Sequence, residues 1–197
     1  QKIIAISPSS LVEEKSSSAK VDYTNLLLKM ITACGQQEAH FVVFPNASRE
    51  RSKKKRNNDI PVIERLRAAA ELDLPLPLYR RITWMAYDLN TAGIDAIVRR
   101  ADVLVTSRFH AMVFGLRLCV PTLVIGWGHK YVEAMQRFGM ESYVFDYRGA
   151  DEDLGNILIQ MIQSYNHLHQ SMIPHLVEVL ASSEEQFNYL RRLIHES

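Results

Sequence analysis

Short, unbroken apolar runs separated by longer amphipathic stretches constrain this chain more than any other feature. The runs fall at residues 2–7, 40–44, 103–106, 121–125 and 142–145, and they stop at Pro8, Pro45, Ser107, Gly126 and Asp146. Successive residues of a strand face opposite sides of a sheet, so apolar residues at both parities mean burial on both faces. Helical patterns lie between the runs. Together these predict an α/β fold, a doubly wound parallel sheet with helices on both faces. The 197 residues suffice for one such domain and are short for two.

The helices carry their own punctuation. Tyr23, Leu26, Leu27, Met30 and Ile31 share a helical face, with Asp22 placed as N-cap and Gly35 as the stop. Asp59 is placed to cap a helix with Pro61 in its first turn and Ile63, Leu66 and Ala70 on one face. A helix from 90 or 91 to 100 ends on Arg99 and Arg100, cations suited to that end of the helix dipole. Further helices are expected over 108–118, from Gly128 to Phe138 with a stop at Gly139, from an Asp151 cap through Ile162, and from Pro174 to Ile194. The segment from Pro8 to Asp22 reads as a loop, 76–79 as a weak strand, and 82–87 fits either state. The two terminal helices have no strand after them and are expected across the sheet or against a neighbour.

Composition excludes several classes. No stretch reaches 18 uninterrupted apolar residues, and no basic-then-apolar leader opens the chain, so neither a membrane span nor a signal peptide is expected. Cys34 and Cys119 lack C-x-x-C spacing and read as buried free thiols, which fits a reducing, cytoplasmic compartment. His167 and His169 are two apart on a helix and do not share a face, so no metal site is expected. Residues 49–58 carry six cations, one Glu and no apolar residue, and read as a basic flexible loop. The other reading of that loop is a phosphate-tracking element of a nucleic-acid or partner-binding module. Its lack of aromatics and the net charge of +1 disfavour this, and no nucleic acid is expected. The chain opens at Gln1 directly into an apolar run, from which a longer parent with a preceding domain is expected, residues 1–197 being its C-terminal Rossmann-like part.

Ligands of open parallel sheets bind beyond the carboxyl ends of the strands. The residues expected there are Ser9 and Ser10, Asn46 and Ser48, Ser107 with Arg108 and His110, Gly126 to Lys130, and Asp146 with Arg148. Hydroxyls, glycines and cations at one edge suit an anion. With Ser107 as N-cap, Arg108 to Ala111 present backbone N–H groups that lack helical partners, at the positive end of the helix dipole. Arg108 adds a planar fork for a carboxylate or phosphate. His110 is the side-chain type that moves a proton near neutral pH. Ala111 and Gly115 leave room for close approach. The alternatives are an Arg108 solvated or paired to a carboxylate, and a purely structural His110. Trp127 is a binding wall or a core residue.

The stretch from Ala101 to Phe145 resembles the polysaccharide pyruvyl transferase family. The resemblance rests on Ser107-Arg-Phe-His-Ala111, Val120-Pro-Thr-Leu-Val-Ile-Gly-Trp127, His129-Lys-Tyr-Val-Glu133 and Phe138-Gly139. Ser7-Pro-Ser-Ser10, Pro45-Asn46 and Asn58-Asp59 are similar to family positions more weakly. The resemblance implies the second, Rossmann-like half of a glycosyltransferase-B-like (GT-B) fold. It implies transfer of the enolpyruvyl unit of phosphoenolpyruvate to a saccharide or lipid-linked saccharide as a pyruvate ketal, with loss of phosphate, in exopolysaccharide biosynthesis. It places Arg108 and His110 against phosphoenolpyruvate as catalytic residues. Position at the strand ends adds Ser107, Lys130, Ser9, Ser10 and Gly126 to Arg108 as the expected anion-binding residues, and no cofactor and no metal are expected.

The nearest rival is a nucleotide-sugar-dependent glycosyltransferase of the same fold, since fold does not decide function. Such sites often open on Gly-Gly and hold ribose with acidic residues in the following helix. Residues 108–118 contain no Asp or Glu and open on Arg108 and His110.

Overall fold

The structure is a computed structural model, and it describes residues 1–48, 57–149 and 153–195. Six strands form one parallel sheet in the order β3-β2-β1-β4-β5-β6. They are β1 (Lys2–Ser7), β2 (Ala39–Val43), β3 (Ile82–Trp84), β4 (Val103–Thr106), β5 (Thr122–Ile125) and β6 (Val144–Phe145). Ile4 of β1 pairs with Phe41 of β2 on one side and Val103 of β4 on the other. The chain winds outward from β1 to β3, returns to β4, and winds outward the other way to β6. The switch point therefore lies between β1 and β4, where such sheets bind ligands.

Alternating side chains build two cores. Ile4 and Ile6 face one side and join Phe41, Val43, Leu27, Ile31, Ile63 and Leu66. Ala5 faces the other side and joins Phe44, Ile94, Val98, Leu104 and Val120. Both faces are thus covered, as the continuous apolar runs require. The central β4 and β5 are buried along their whole length.

The helices are α1 (Ser10–Ser18), α2 (Tyr23–Ala33), α3 (Ile60–Asp73), α4 (Leu76–Tyr79), α5 (Thr91–Val98), α6 (Phe109–Arg117), α7 (His129–Gln136), α8 (Leu154–Gln163) and α9 (Tyr165–His195). Asp22 caps α2 as expected, accepting from Asn25 N at 2.9 Å, and Asn90 caps α5, accepting from Gly93 N at 2.9 Å. The cap of α8 is Asp153, which accepts from Asn156 N at 3.0 Å; Asp151 lies outside the described residues, as does most of the basic segment 49–58.

Several local expectations are corrected. Residues 10–18 are helical: Ser9 caps α1 through Val12 N, and Val12 and Ser16 are buried. The pattern Ser10-x-x-Glu13 was a legible helix-start signal, displaced by one residue from the true cap. Residues 76–79 form a helical turn because Pro75 and Pro77 lack N–H donors and suit a first turn, not a ladder. The edge strand is instead β3, paired to β2 through Phe41 and Ile82.

The C-terminal helix also departs from expectation, because α9 runs unbroken through Pro174. The carbonyl that Pro174 leaves without a donor belongs to Gln170, an exposed residue, so water can satisfy it. Buried Met172 and a 2.8 Å bond between His169 Nδ1 and the Cys119 carbonyl oxygen fasten the same helix to the domain. No helix among the described residues is long and apolar enough to cross a membrane.

Candidate functional site

A cavity of about 470 Å³ opens at the switch point. Its walls include Ser9 after β1, Asn46 and Ser48 after β2, Ser107, Arg108 and His110 after β4, and Trp127 and Lys130 after β5. Four strand ends thus converge, as the parallel sheet dictates. Ser10 and Gly126 are not among the wall residues. Ser10 gives its N–H to Asp59 Oδ1 at 3.0 Å and its hydroxyl to the Asn58 carbonyl oxygen. Gly126 faces the Tyr131 ring, which a Cβ would meet at 3.1 Å. Asp146 and Arg148 pair with each other, which holds the Asp146 carboxyl below its ordinary range.

The β4–α6 turn is built differently from the expected Ser107 cap. Arg108 occupies the N-cap position, in extended backbone, and makes no side-chain cap. Thr106 Oγ1 accepts from Arg108 N at 2.9 Å and donates to the Ser7 carbonyl oxygen at 3.1 Å. The turn is thereby pinned to β1. Ser107 is buried, and its Oγ lies 2.7 Å from the Tyr23 hydroxyl. Its carbonyl oxygen accepts from Tyr131 Oη at 3.3 Å. Burial raises both tyrosine hydroxyls above their ordinary range.

Arg108 is paired to a carboxylate, one of the alternatives open from sequence. Its Nε lies 3.1 and 2.9 Å from the two oxygens of Asp59, and Nη2 closes a second contact on Oδ1. Asp59 has no exposed surface. Burial pushes its carboxyl upward, while Arg108 and the Ser10 and Ala47 N–H groups pull it back. It was expected to cap α3, but Asn58 Oδ1 serves Ile60 N instead, at 3.1 Å. Sequence reading missed this pairing because residues 49 apart carry no mutual signal.

His110 and Lys130 sit at the rim, both exposed. The Lys130 ammonium lies 4.8 Å from the Phe109 ring centroid and 5.3 Å from that of Tyr131, while Phe109 meets Tyr131 edge-on at 5.7 Å. These rings hold a cation over the cavity by cation–π attraction. Helices α6 and α7 both start at the cavity wall without side-chain caps. Trp127 fills both roles left open for it, lining the cavity while its ring packs edge-on against buried Tyr147 at 5.6 Å. Gly115 does not make room for a ligand; its space is taken by Thr122 and Leu104. Among the described residues, no three His, Cys, Asp or Glu side chains are grouped as metal ligands.

The profile of the polysaccharide pyruvyl transferases matches residues 7–129, more than half of the chain and most of the cavity wall. The chain belongs to the polysaccharide pyruvyl transferase family. The match takes in Arg108 and His110, while Lys130 lies one residue beyond it.

Solved structures of glycosyltransferases share the fold. A Thermobaculum terrenum O-GlcNAc transferase mutant aligns with TM-score 0.60 and 13% identity over 96% of this chain and 35% of its own. The spinosyn rhamnosyltransferase SpnG, complexed with spinosyn aglycone, aligns with TM-score 0.55 and 13% identity over 91% of this chain and 42% of its own. The C-terminal domain of a group 1 family glycosyl transferase (LpcC) from Francisella tularensis aligns with TM-score 0.53 and 12% identity over 92% and 85%. The chain therefore spans about two fifths of the length of SpnG. At these identities the likeness shows the fold alone, a Rossmann-like half of the GT-B type. No curated protein matches the sequence.

Proposed function

We propose that this domain binds phosphoenolpyruvate and transfers its enolpyruvyl unit to a saccharide or lipid-linked saccharide, forming a pyruvate ketal and releasing phosphate. The observation that carries the reading is that Arg108, His110 and Lys130 share one strand-end cavity in a chain of this family. Phosphoenolpyruvate places a carboxylate and a phosphate on adjoining atoms. The Arg108 turn and the start of α6 suit one anionic group, and Lys130 with the start of α7 suits the other.

In the proposed reaction, a proton is delivered to C3 of the enol, and C2 becomes electron-poor. An acceptor hydroxyl adds to C2 and loses its proton. The bond from C2 to the phosphate oxygen breaks, a second hydroxyl adds to C2 to close the ketal, and its proton goes to the departing phosphate. His110, at the rim, is our candidate for the acid at C3 or the partner of the departing phosphate. Lys130 supplies positive charge that attracts and holds the phosphoenolpyruvate anion in the cavity. The base for the acceptor hydroxyl belongs, in this proposal, to a preceding domain that closes over the cavity. A cytoplasmic role in exopolysaccharide synthesis belongs to the same reading.

Phosphate release from phosphoenolpyruvate by the full-length protein tests it, with Arg108→Ala and His110→Ala beside the wild type. Release is expected from the wild type and a fall of 10²-fold or more in each variant, on the order seen when a general acid or an electrostatic group is lost. Full activity in both variants would end the assignment. Stabilisation by uridine diphosphate, and none by phosphoenolpyruvate, would move the reading to a nucleotide-sugar transferase.

A further inference from the structure

Asp59 stands at the start of α3, yet its carboxylate looks away from that helix. Oδ1 accepts from Ser10 N at 3.0 Å and Oδ2 from Ala47 N at 2.9 Å, while Arg108 engages both oxygens through Nε. These partners belong to the turns after β1, β2 and β4. One buried carboxylate therefore ties together three of the strand ends that wall the cavity. A buried ion pair is a weak source of net stability, because desolvation offsets attraction. What it secures is geometry. A guanidinium engaged through two of its nitrogens has one plane and one direction.

We propose that Asp59 is the positioning residue of the anion site: it sets the plane of the Arg108 guanidinium against the turns carrying Ser9 and Asn46, and anion recognition by Arg108 depends on it. This rests on the phosphoenolpyruvate reading for the identity of the anion. The pair is neutral as a unit, so Arg108 supplies direction more than net charge. Attraction for a multiply charged ligand then falls to Lys130, which forms no ion pair among the described residues, and to the starts of α6 and α7.

The test is a substitution cycle read by calorimetric binding of phosphoenolpyruvate to the full-length protein. The variants are Asp59→Asn, Arg108→Ala and the double substitution. Losing a charge-assisted hydrogen bond to a bound anion costs roughly 10- to 100-fold in affinity. Each single change is expected to weaken binding by about that factor, and the double change by no more than either alone. Losses that multiply would show that Asp59 acts on the fold and not through Arg108.

Asp59→Asn puts an amide N–H against a backbone N–H and can unfold the chain, so Arg108→Lys provides an independent reading. It leaves Asp59 with a cation but removes the fork, and it is expected to bind as poorly as Arg108→Ala. Wild-type affinity in Arg108→Lys would overturn the positioning role. Failure of the wild type to bind phosphoenolpyruvate would overturn the functional reading and this inference together. Wild-type binding with multiplying losses would overturn this inference alone.

Discussion

The Tyr23 hydroxyl lies 2.7 Å from Ser107 Oγ, and both side chains are buried, which joins the start of α2 to the turn that carries Arg108 and His110. A buried hydroxyl left without its partner costs about 1–3 kcal/mol, whereas removing both partners costs much less. Tyr23→Phe is expected to lower stability by that amount, a fall of roughly 2–4 °C per kcal/mol at this chain length. Adding Ser107→Ala to Tyr23→Phe is expected to return part of the loss. Urea denaturation of the single and double variants measures this; a double variant less stable than Tyr23→Phe would contradict it.

Gly115 and Gly128 are expected to respond oppositely to alanine. A Cβ on Gly115 would lie 2.3 Å from Thr122 Oγ1 and 2.9 Å from Leu104 Cδ2, inside the contact between α6 and the sheet. Overpacking of this kind costs about 1–3 kcal/mol. A Cβ on Gly128 would meet Tyr131 at 3.6 Å, an ordinary contact, with φ at −113°. Gly128→Ala should change stability by less than about 0.5 kcal/mol, as substitutions free of such conflicts do. Thermal denaturation of the two variants checks the contrast.

Cys34 predicts a pH dependence. It is fully buried, and burial pushes its thiol up to about 12. In the unfolded chain a thiol ionises near about 8.5. Between those values the unfolded state loses the proton and the folded state keeps it. The contribution is therefore fully present below the unfolded value and is lost as pH rises toward the folded one, at up to about 1.4 kcal/mol per pH unit. Cys34→Ala should show a shallower decline than the wild type between pH 9 and pH 11. The same burial predicts that Cys34 resists alkylation until the chain unfolds.

Lys130 is expected to act on binding more than on chemistry. Its ammonium is exposed and held over Phe109 and Tyr131. Lys130→Gln should raise the KM for phosphoenolpyruvate about tenfold, which is about 1.4 kcal/mol, with kcat nearly unchanged. The KM should also become less sensitive to ionic strength, since an exposed charge is screened by salt. Steady-state kinetics at two salt concentrations decides it; an unchanged KM would remove Lys130 from the anion site.

The architecture was legible because it follows from local pattern. Apolar residues at both parities of 103–106 and 121–125 require strands covered on both faces, and β4 and β5 are so covered. Asp22 read as a cap because a cap needs only a few neighbouring residues. Elements whose local signals compete were harder to read. The serine-rich stretch of α1 has little apolar periodicity, and α4 hides a helical turn under prolines. Pro174 looked like a helix start but lies inside α9.

The site divides along the same line. Residue types and order alone placed Arg108 and His110 at the carboxyl end of a buried strand, because chain direction and strand alternation are local properties. They also carried the resemblance to the pyruvyl transferases. Tertiary structure decided what these residues meet. It gave Arg108 to Asp59, engaged Ser107 with Tyr23, moved Ser10 and Gly126 out of the cavity wall, and set Lys130 over two rings. Those are contacts between distant segments, created when the sheet brings its strand ends together. A buried carboxylate 49 residues away leaves no periodicity in the chain, so only the folded packing reveals that it holds Arg108.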